Sequence, residues 1–154
     1  AKSPTSKIRF IEFDIDIIPP QPPTISSVYT GTGQNKKIWS ANQLIIKQNQ
    51  DVAIELAGVD PADTAKIKFY VSNDNTLNTA TDTPAGEQTT ITSTITHTIA
   101  AANFTSDGTY YIFVVAEDNL GNSIEATIKP VIIKDSTAPT IAAKNAGGTD
   151  FNFE

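Results

Sequence analysis

The sequence predicts an all-β Greek-key sandwich, and three observations carry that expectation. Apolar residues alternate with period two along most of the chain. Clusters of Gly, Asn, Asp and Pro break the alternation at short intervals. No segment shows the 3.6-residue period of a helix, and Ala100-Ala101-Ala102 is too short to carry one.

From the N-terminus, Lys7 to Ile18 holds two apolar rows. Ile8 and Phe10 share one parity, while Ile11, Phe13, Ile15 and Ile17 share the other, with Glu12, Asp14 and Asp16 between them. The switch at Phe10-Ile11 predicts a bulge or a change of sheet. Four prolines between Pro19 and Pro23 then form a stiff, extended hinge. The segment from Tyr29 to Gln50, with Trp39, is long for a simple strand pair and is read as an extra strand or a capping loop.

The central strands are plainer. Asp51 to Ala57 sets Val52, Ile54 and Leu56 on one face, and Lys66 to Ser72 does the same with Ile67, Phe69 and Val71. Thr89 to Ile99 interleaves Ile91, Ile95 and Ile99 with threonines, a β-branched composition that suits a pleated strand. His97 shares the inward parity and is expected to be a satisfied structural histidine. Tyr110 to Glu117 is almost continuously apolar, so it is a central strand. Ser123 to Lys134 is the last strand, placed at an edge or bent at Pro130, which cannot donate to a ladder. Turns are expected at 31–35, 72–75, 83–86, 106–108 and 118–122.

Composition narrows the function. Of 154 residues 39% are hydrophobic, enough for a packed core. A net charge of -6 argues against the phosphate grip of nucleic-acid binders. No run reaches the roughly 18 apolar residues of a membrane span. With no Cys and one His, thiol catalysis, disulfides and multi-His metal sites are excluded or disfavoured. Met is absent even at position 1, which gives the expectation of a processed chain or a piece of a longer one. The Thr-, Asn- and Ser-rich composition suits an extracellular or cell-surface setting.

An internal echo sets the boundaries. Pro22-Pro23-Thr24-Ile25 recurs as Ala138-Pro139-Thr140-Ile141, an offset of 116 residues from Pro23 to Pro139. The chain thus divides into an N-terminal arm and hinge (1–23), a sandwich (24–134) and a linker-like C-terminal arm (135–154).

Three stretches carry a family resemblance: Asp107-Gly108-Thr109-Tyr110-Tyr111, Val115-Ala116-Glu117-Asp118-Asn119-Leu120-Gly121-Asn122, and Asp135-Ser136-Thr137-Ala138-Pro139-Thr140-Ile141. Together they resemble the Ig-like repeats of bacterial and archaeal surface proteins and adhesins. The resemblance implies an Ig-like Greek-key sandwich of about seven to nine strands with extended N- and C-terminal arms, in a structural or adhesive role. It brings no catalytic residues, and no enzyme activity is expected.

Several of the remaining features admit more than one reading. Lys7 to Ile18 is a first strand of its own sheet, a remnant of a preceding repeat, or a strand for addition to a neighbouring subunit. On the last reading Ile8, Phe10, Ile11, Phe13, Ile15 and Ile17 are partner-binding, with Phe151 and Phe153 of the C-terminal arm. Asp118, Asn119 and Asn122 offer oxygen ligands to Ca²⁺, or form a plain Asx-rich turn. Trp39, Tyr29 and Tyr70 are a carbohydrate-stacking patch or packing residues. Asn103-Phe104-Thr105 is a glycosylation sequon. Asp107 and Tyr110 are expected to fix the turn before strand 110–117 by local hydrogen bonds.

The function these readings favour is a subunit of an extracellular filament or surface assembly, joined to copies of itself by strand addition. The alternative is a single Ig-like repeat of a tandem-domain adhesin or large secreted enzyme, with neighbouring repeats as partners. No nucleic acid, membrane span or obligatory cofactor is expected.

Overall fold

A computed structural model describes residues 15–139. Those residues form an all-β fold of ten strands in two sheets, a sandwich-like arrangement. The strands are β1 (Thr24–Thr30), β2 (Lys37–Ile38), β3 (Gln43–Ile46), β4 (Val52–Ala57), β5 (Lys66–Ser72), β6 (Thr83–Gln88), β7 (Thr94–Ile99), β8 (Gly108–Glu117), β9 (Ser123–Glu125) and β10 (Val131–Lys134). One sheet has the order β2-β1-β4-β7. The other has the order β3-β10-β8-β5-β6, with β9 also paired to β8. All pairings are antiparallel except β3 with β10, which run parallel.

The alternation in the sequence becomes the core. Val52, Ile54 and Leu56 from β4 meet Ile67, Phe69 and Val71 from β5 and Ile112 and Val114 from β8 in one apolar cluster. Each of these side chains is worth on the order of 1.5–3 kcal/mol when fully buried, before ordering costs. Strand β8 has neighbours on both sides, β5 on one and β9 with β10 on the other, and Ile112 to Ala116 are all buried. That is why its sequence is apolar at consecutive positions.

Several boundaries depart from expectation. The stretch 83–86, read as a turn, opens strand β6. Pro84 and Gly86 are tolerated because β6 is an edge strand whose register against β5 shifts between Phe69 and Tyr70. The strand expected from Thr89 begins only at Thr94. The last strand is broken into β9 and β10 around Pro130, and β10 lies inside its sheet, between β3 and β8. Pro130 therefore marks a bend and not a sheet edge.

The segment around Trp39 holds β2, β3 and a two-residue turn that passes the chain from one sheet to the other. Ser40 and Gln43 exchange both backbone hydrogen bonds at 2.9 Å, and the central residues Ala41 and Asn42 have φ of 49° and 62°. These are the features of a type I′ turn, which normally selects Asn-Gly. Trp39 packs against the core.

Among the described residues one buried side-chain polar atom lacks a hydrogen-bond partner, the hydroxyl of Thr64. Thr64→Val keeps the shape and removes the unpaired group. We expect it to stabilise the fold by about 1 kcal/mol, read from the urea midpoint. A loss of stability would mean that a bound water already satisfies the hydroxyl.

Candidate functional site

The features with interaction potential sit at the two ends of β8. At the end after Glu117, the β8–β9 hairpin is organised by Asp118. Its Oδ1 accepts the backbone N–H groups of Leu120 at 2.8 Å and Asn122 at 2.9 Å, and its Oδ2 accepts the Asn122 side-chain amide at 2.7 Å. The same Asn122 amide donates to the backbone carbonyl of Asp16 at 3.2 Å, so the incoming chain is tied to the hairpin. Pro20 and Pro23 are buried, which docks the proline segment on the sandwich. Ile15, Ile17 and Ile18 are exposed here, as is Leu120 at the hairpin tip. We call this end the hairpin pole.

At the other end, before Gly108, Asp107 holds the outgoing chain. Its carboxylate accepts the Ser136 backbone N–H at 3.0 Å, the Ser136 hydroxyl, and the Thr137 hydroxyl at 3.3 Å. The expected local role in the turn falls instead to Tyr110. Its hydroxyl donates to the Ser106 carbonyl at 2.8 Å and accepts the Ser106 N–H at 2.9 Å. The Asp135 N–H continues the chain's attachment by donating to the Ile46 carbonyl at 3.0 Å. This end is the linker pole.

The two poles are set apart by β8 itself. Its ten residues, at about 3.3 Å each, place them roughly 33 Å from one another. The chain arrives at one and leaves from the other.

The sequence-selected residues distribute unevenly over this frame. Ile15 and Ile17 stand exposed at the hairpin pole, while Ile8, Phe10, Ile11, Phe13, Phe151 and Phe153 lie outside the described residues. Asp118 and Asn122 spend their polar groups on the hairpin and on Asp16, the chemistry of an Asx turn. Among the described residues no three His, Cys, Asp or Glu side chains gather as a metal site. Tyr29 and Tyr70 stand on different sheets and Trp39 packs on the core, so the three do not make one stacking platform. Instead the Lys36 ammonium lies 3.5 Å above the Tyr29 ring. Burial raises the Tyr29 hydroxyl pKa, and the neighbouring Glu55 carboxylate adds to that rise.

His97 ties the sheets together near β6. Its ring stacks on Phe69 with centroids 4.0 Å apart, its Nε2 lies 2.9 Å from the Ala85 carbonyl, and its Nδ1 lies 3.2 Å from the Gln88 amide. Gly86 makes room for it, since a Cβ there would come within 2.4 Å of the imidazole. Across β5 and β8, Glu117 takes Lys68 at 2.5 Å and Lys66 at 3.0 Å. The bond from Lys68 is the main reason the Glu117 carboxyl titrates below the usual range, and it raises Lys68 in turn.

Sequence reasoning did not find a third surface, at the corner formed by β2 and β3. Ile38 and Ile45 are each 59% exposed there. Lys36, Lys37 and Lys47 line an adjoining depression. The alternation of β3 marks Ile45 as outward, but the corner needs the sheet crossing at Ser40–Gln43, which no local pattern announces.

No protein-family model matches the chain, and no curated protein matches it.

Both clasps are acid-sensitive, with the same sign. Bonds from Ser136 lower the Asp107 pKa from its ordinary 3.8. For Asp118, desolvation pushes upward from 3.8 but the Asn122, Leu120 and Gly121 donors outweigh it, and the net shift is down. A depressed folded pKa contributes stability that is complete above the ordinary value and is lost as pH falls through the folded value. We expect the amide resonances of Ser136 and Asn122 to titrate with midpoints below pH 3.8 in NMR spectra recorded from pH 6 to 2. Midpoints at or above that value would refute the clasps.

Proposed function

We propose that the chain is an Ig-like structural module of an extracellular filament or surface layer, joined head to tail with copies of itself. The joint forms by addition of the N-terminal arm, Lys7 to Ile18, to a neighbour's sheet. The observation that carries this reading is polar separation: the incoming chain is held by Asn122 at one end of β8 and the outgoing chain by Asp107 at the other. Modules anchored at opposite ends stack into a line, and a heterologous contact that does not close on itself propagates as a fibre.

Strand order supports the Ig-like part. Strands β1-β4-β7 of one sheet correspond to an A-B-E order, with β2 added at its edge, and β3-β10-β8-β5-β6 to an A′-G-F-C-C′ order with β9 added beside β8; β3 runs parallel to β10 as A′ runs beside G. The tyrosine hydroxyl bonded to the backbone four residues upstream, Tyr110 to Ser106, is the corner found at the start of strand F in such sandwiches. The Cys- and Met-free composition supports an extracellular setting.

The mode of addition is constrained. Strand β10 fills the position between β3 and β8, so an arriving strand finds no gap in that sheet to complete. It must extend an edge, where unpaired backbone groups and neighbouring side chains supply the affinity.

A second reading rests on the 116-residue echo of Pro-Thr-Ile, with Pro23 buried at the start of β1 and Pro139 following the Asp107 clasp. It makes the chain one repeat of a tandem-domain adhesin or large secreted enzyme, the same line of modules linked covalently. Size in solution separates the two: a subunit forms fibres visible by electron microscopy, and a repeat stays monomeric. We expect deletion of residues 1–18 to abolish fibres while circular dichroism still reports a folded sandwich. Fibres that persist after the deletion would exclude the arm as the joint.

A further inference from the structure

We propose that the β2–β3 corner at the linker pole is the acceptor for residues 11–17 of a second copy. This rests on the strand-addition reading and names the surface it requires.

The free edges of the two sheets are unequal, and that of β9, which pairs with β8 alone, is only three residues long. Strand β6 is interrupted by Pro84, Gly86 and a register shift, features that guard an edge. Strand β7 is regular, but its inner side is tied to β6 through His97 and Ala85, and among the described residues no large apolar side chain of β5, β6 or β7 is exposed. Among the described edge strands, only β2 and β3 expose large apolar side chains, Ile38 and Ile45.

Backbone groups are open at the same two residues. Trp39 donates to Val28 across the β1–β2 ladder, so by alternation the Ile38 amide and carbonyl face away from β1. Asn42 and Ile46 accept from Val131 and Asp135, so the Ile45 groups face away from β10. Gln43, between them, is already closed by Ser40.

Charge selects the occupant. Lys36, Lys37 and Lys47 line one depression, and Lys37 also lines the adjoining one with Ile38 and Ile45, a positive concentration on a chain of net charge -6. Among the described residues none of the three is ion-paired. The arm alternates Ile11, Phe13, Ile15 and Ile17 with Glu12, Asp14 and Asp16. Its apolar row matches Ile38 and Ile45, and lysine side chains are long enough to reach round a strand edge to the acidic row.

Placement makes the contact one between copies. β3 pairs through β10 with the first four residues of β8, near the linker pole, whereas Asp16 is held at the hairpin pole. The separation along β8 is roughly 25 Å at about 3.3 Å per residue. Asp16, where the described chain holds the base of the arm, thus lies far from Lys37 and Lys47 of its own chain.

Zero-length carbodiimide crosslinking of an equal mixture of ¹⁴N- and ¹⁵N-labelled full-length chains, read by mass spectrometry, tests this. We expect mixed-isotope crosslinks joining Lys37 or Lys47 to Glu12 or Asp14. The double variant Ile38→Glu, Ile45→Glu should raise the concentration needed for assembly by about tenfold or more, with an unchanged thermal melt because both sites are exposed. Only same-isotope crosslinks at these lysines would overturn the proposal. Fibres whose arm crosslinks map to β7 or another edge would overturn it and leave the head-to-tail reading standing. A chain that forms no fibres at any concentration removes both.

Discussion

Strand β8 must be buried on both faces of its sheet and hydrogen-bonded along both edges, and the rest of the molecule is arranged to allow it. Ile112, Val114 and Ala116 point into the core shared with the other sheet. Phe113 and Val115 are buried on the opposite face, where the Lys129 ammonium lies 4.8 Å from the Phe113 ring centroid. A ten-residue strand in this position is stiff, because bending it would break ladders with β5, β9 and β10 together. The two chain clasps inherit that stiffness. Asp107 and Asp118 are the residues just outside its ends, and each uses a carboxylate to fix a neighbouring segment that the sheets themselves do not hold.

What could be read from the sequence follows the difference between local and non-local physics. Strands β4, β5 and β8 announce themselves because alternation or continuous apolarity directly reflects which faces are covered. Strand β6 does not, since Thr83-Pro84-Ala85-Gly86 has turn chemistry and becomes a strand only by lying at an edge beside β5. The inward parity of His97 is legible, but its stacking on Phe69 and its contact with Ala85 depend on two sheets meeting. Tyr110 acts within four residues and was foreseeable as a turn-fixing group. Asp107 acts on Ser136, 29 residues on, and no local pattern reveals that.

The same division applies to the exposed apolar surfaces. Exposed Ile15 and Ile17 follow from a row of apolar residues with no assigned partner in the pattern. The lysines and isoleucines of the β2–β3 corner come together only because the chain changes sheet at a turn lacking glycine. Ala41 at φ 49° departs from the residue preference of that turn, and local propensity was outvoted by the crossing it enables.

Docking of the proline segment bears on how strong a joint can be. Stiff prolines alone would project the arm in a wide cone of directions, and each encounter with a neighbour would then have to restrict it. With Pro20 and Pro23 buried and the Asp16 carbonyl bonded to Asn122, the base of the arm is already placed before any partner arrives. If the arm adds to a neighbour as proposed, part of the ordering cost of association is thereby met by folding, and more of the apolar burial would remain as net affinity. On the strand-addition proposal the length of β8 acts as a ruler: it sets the base of the arm apart from the β2–β3 corner of the same module, so that a contact between the two would join different molecules and an assembly would grow instead of closing on itself.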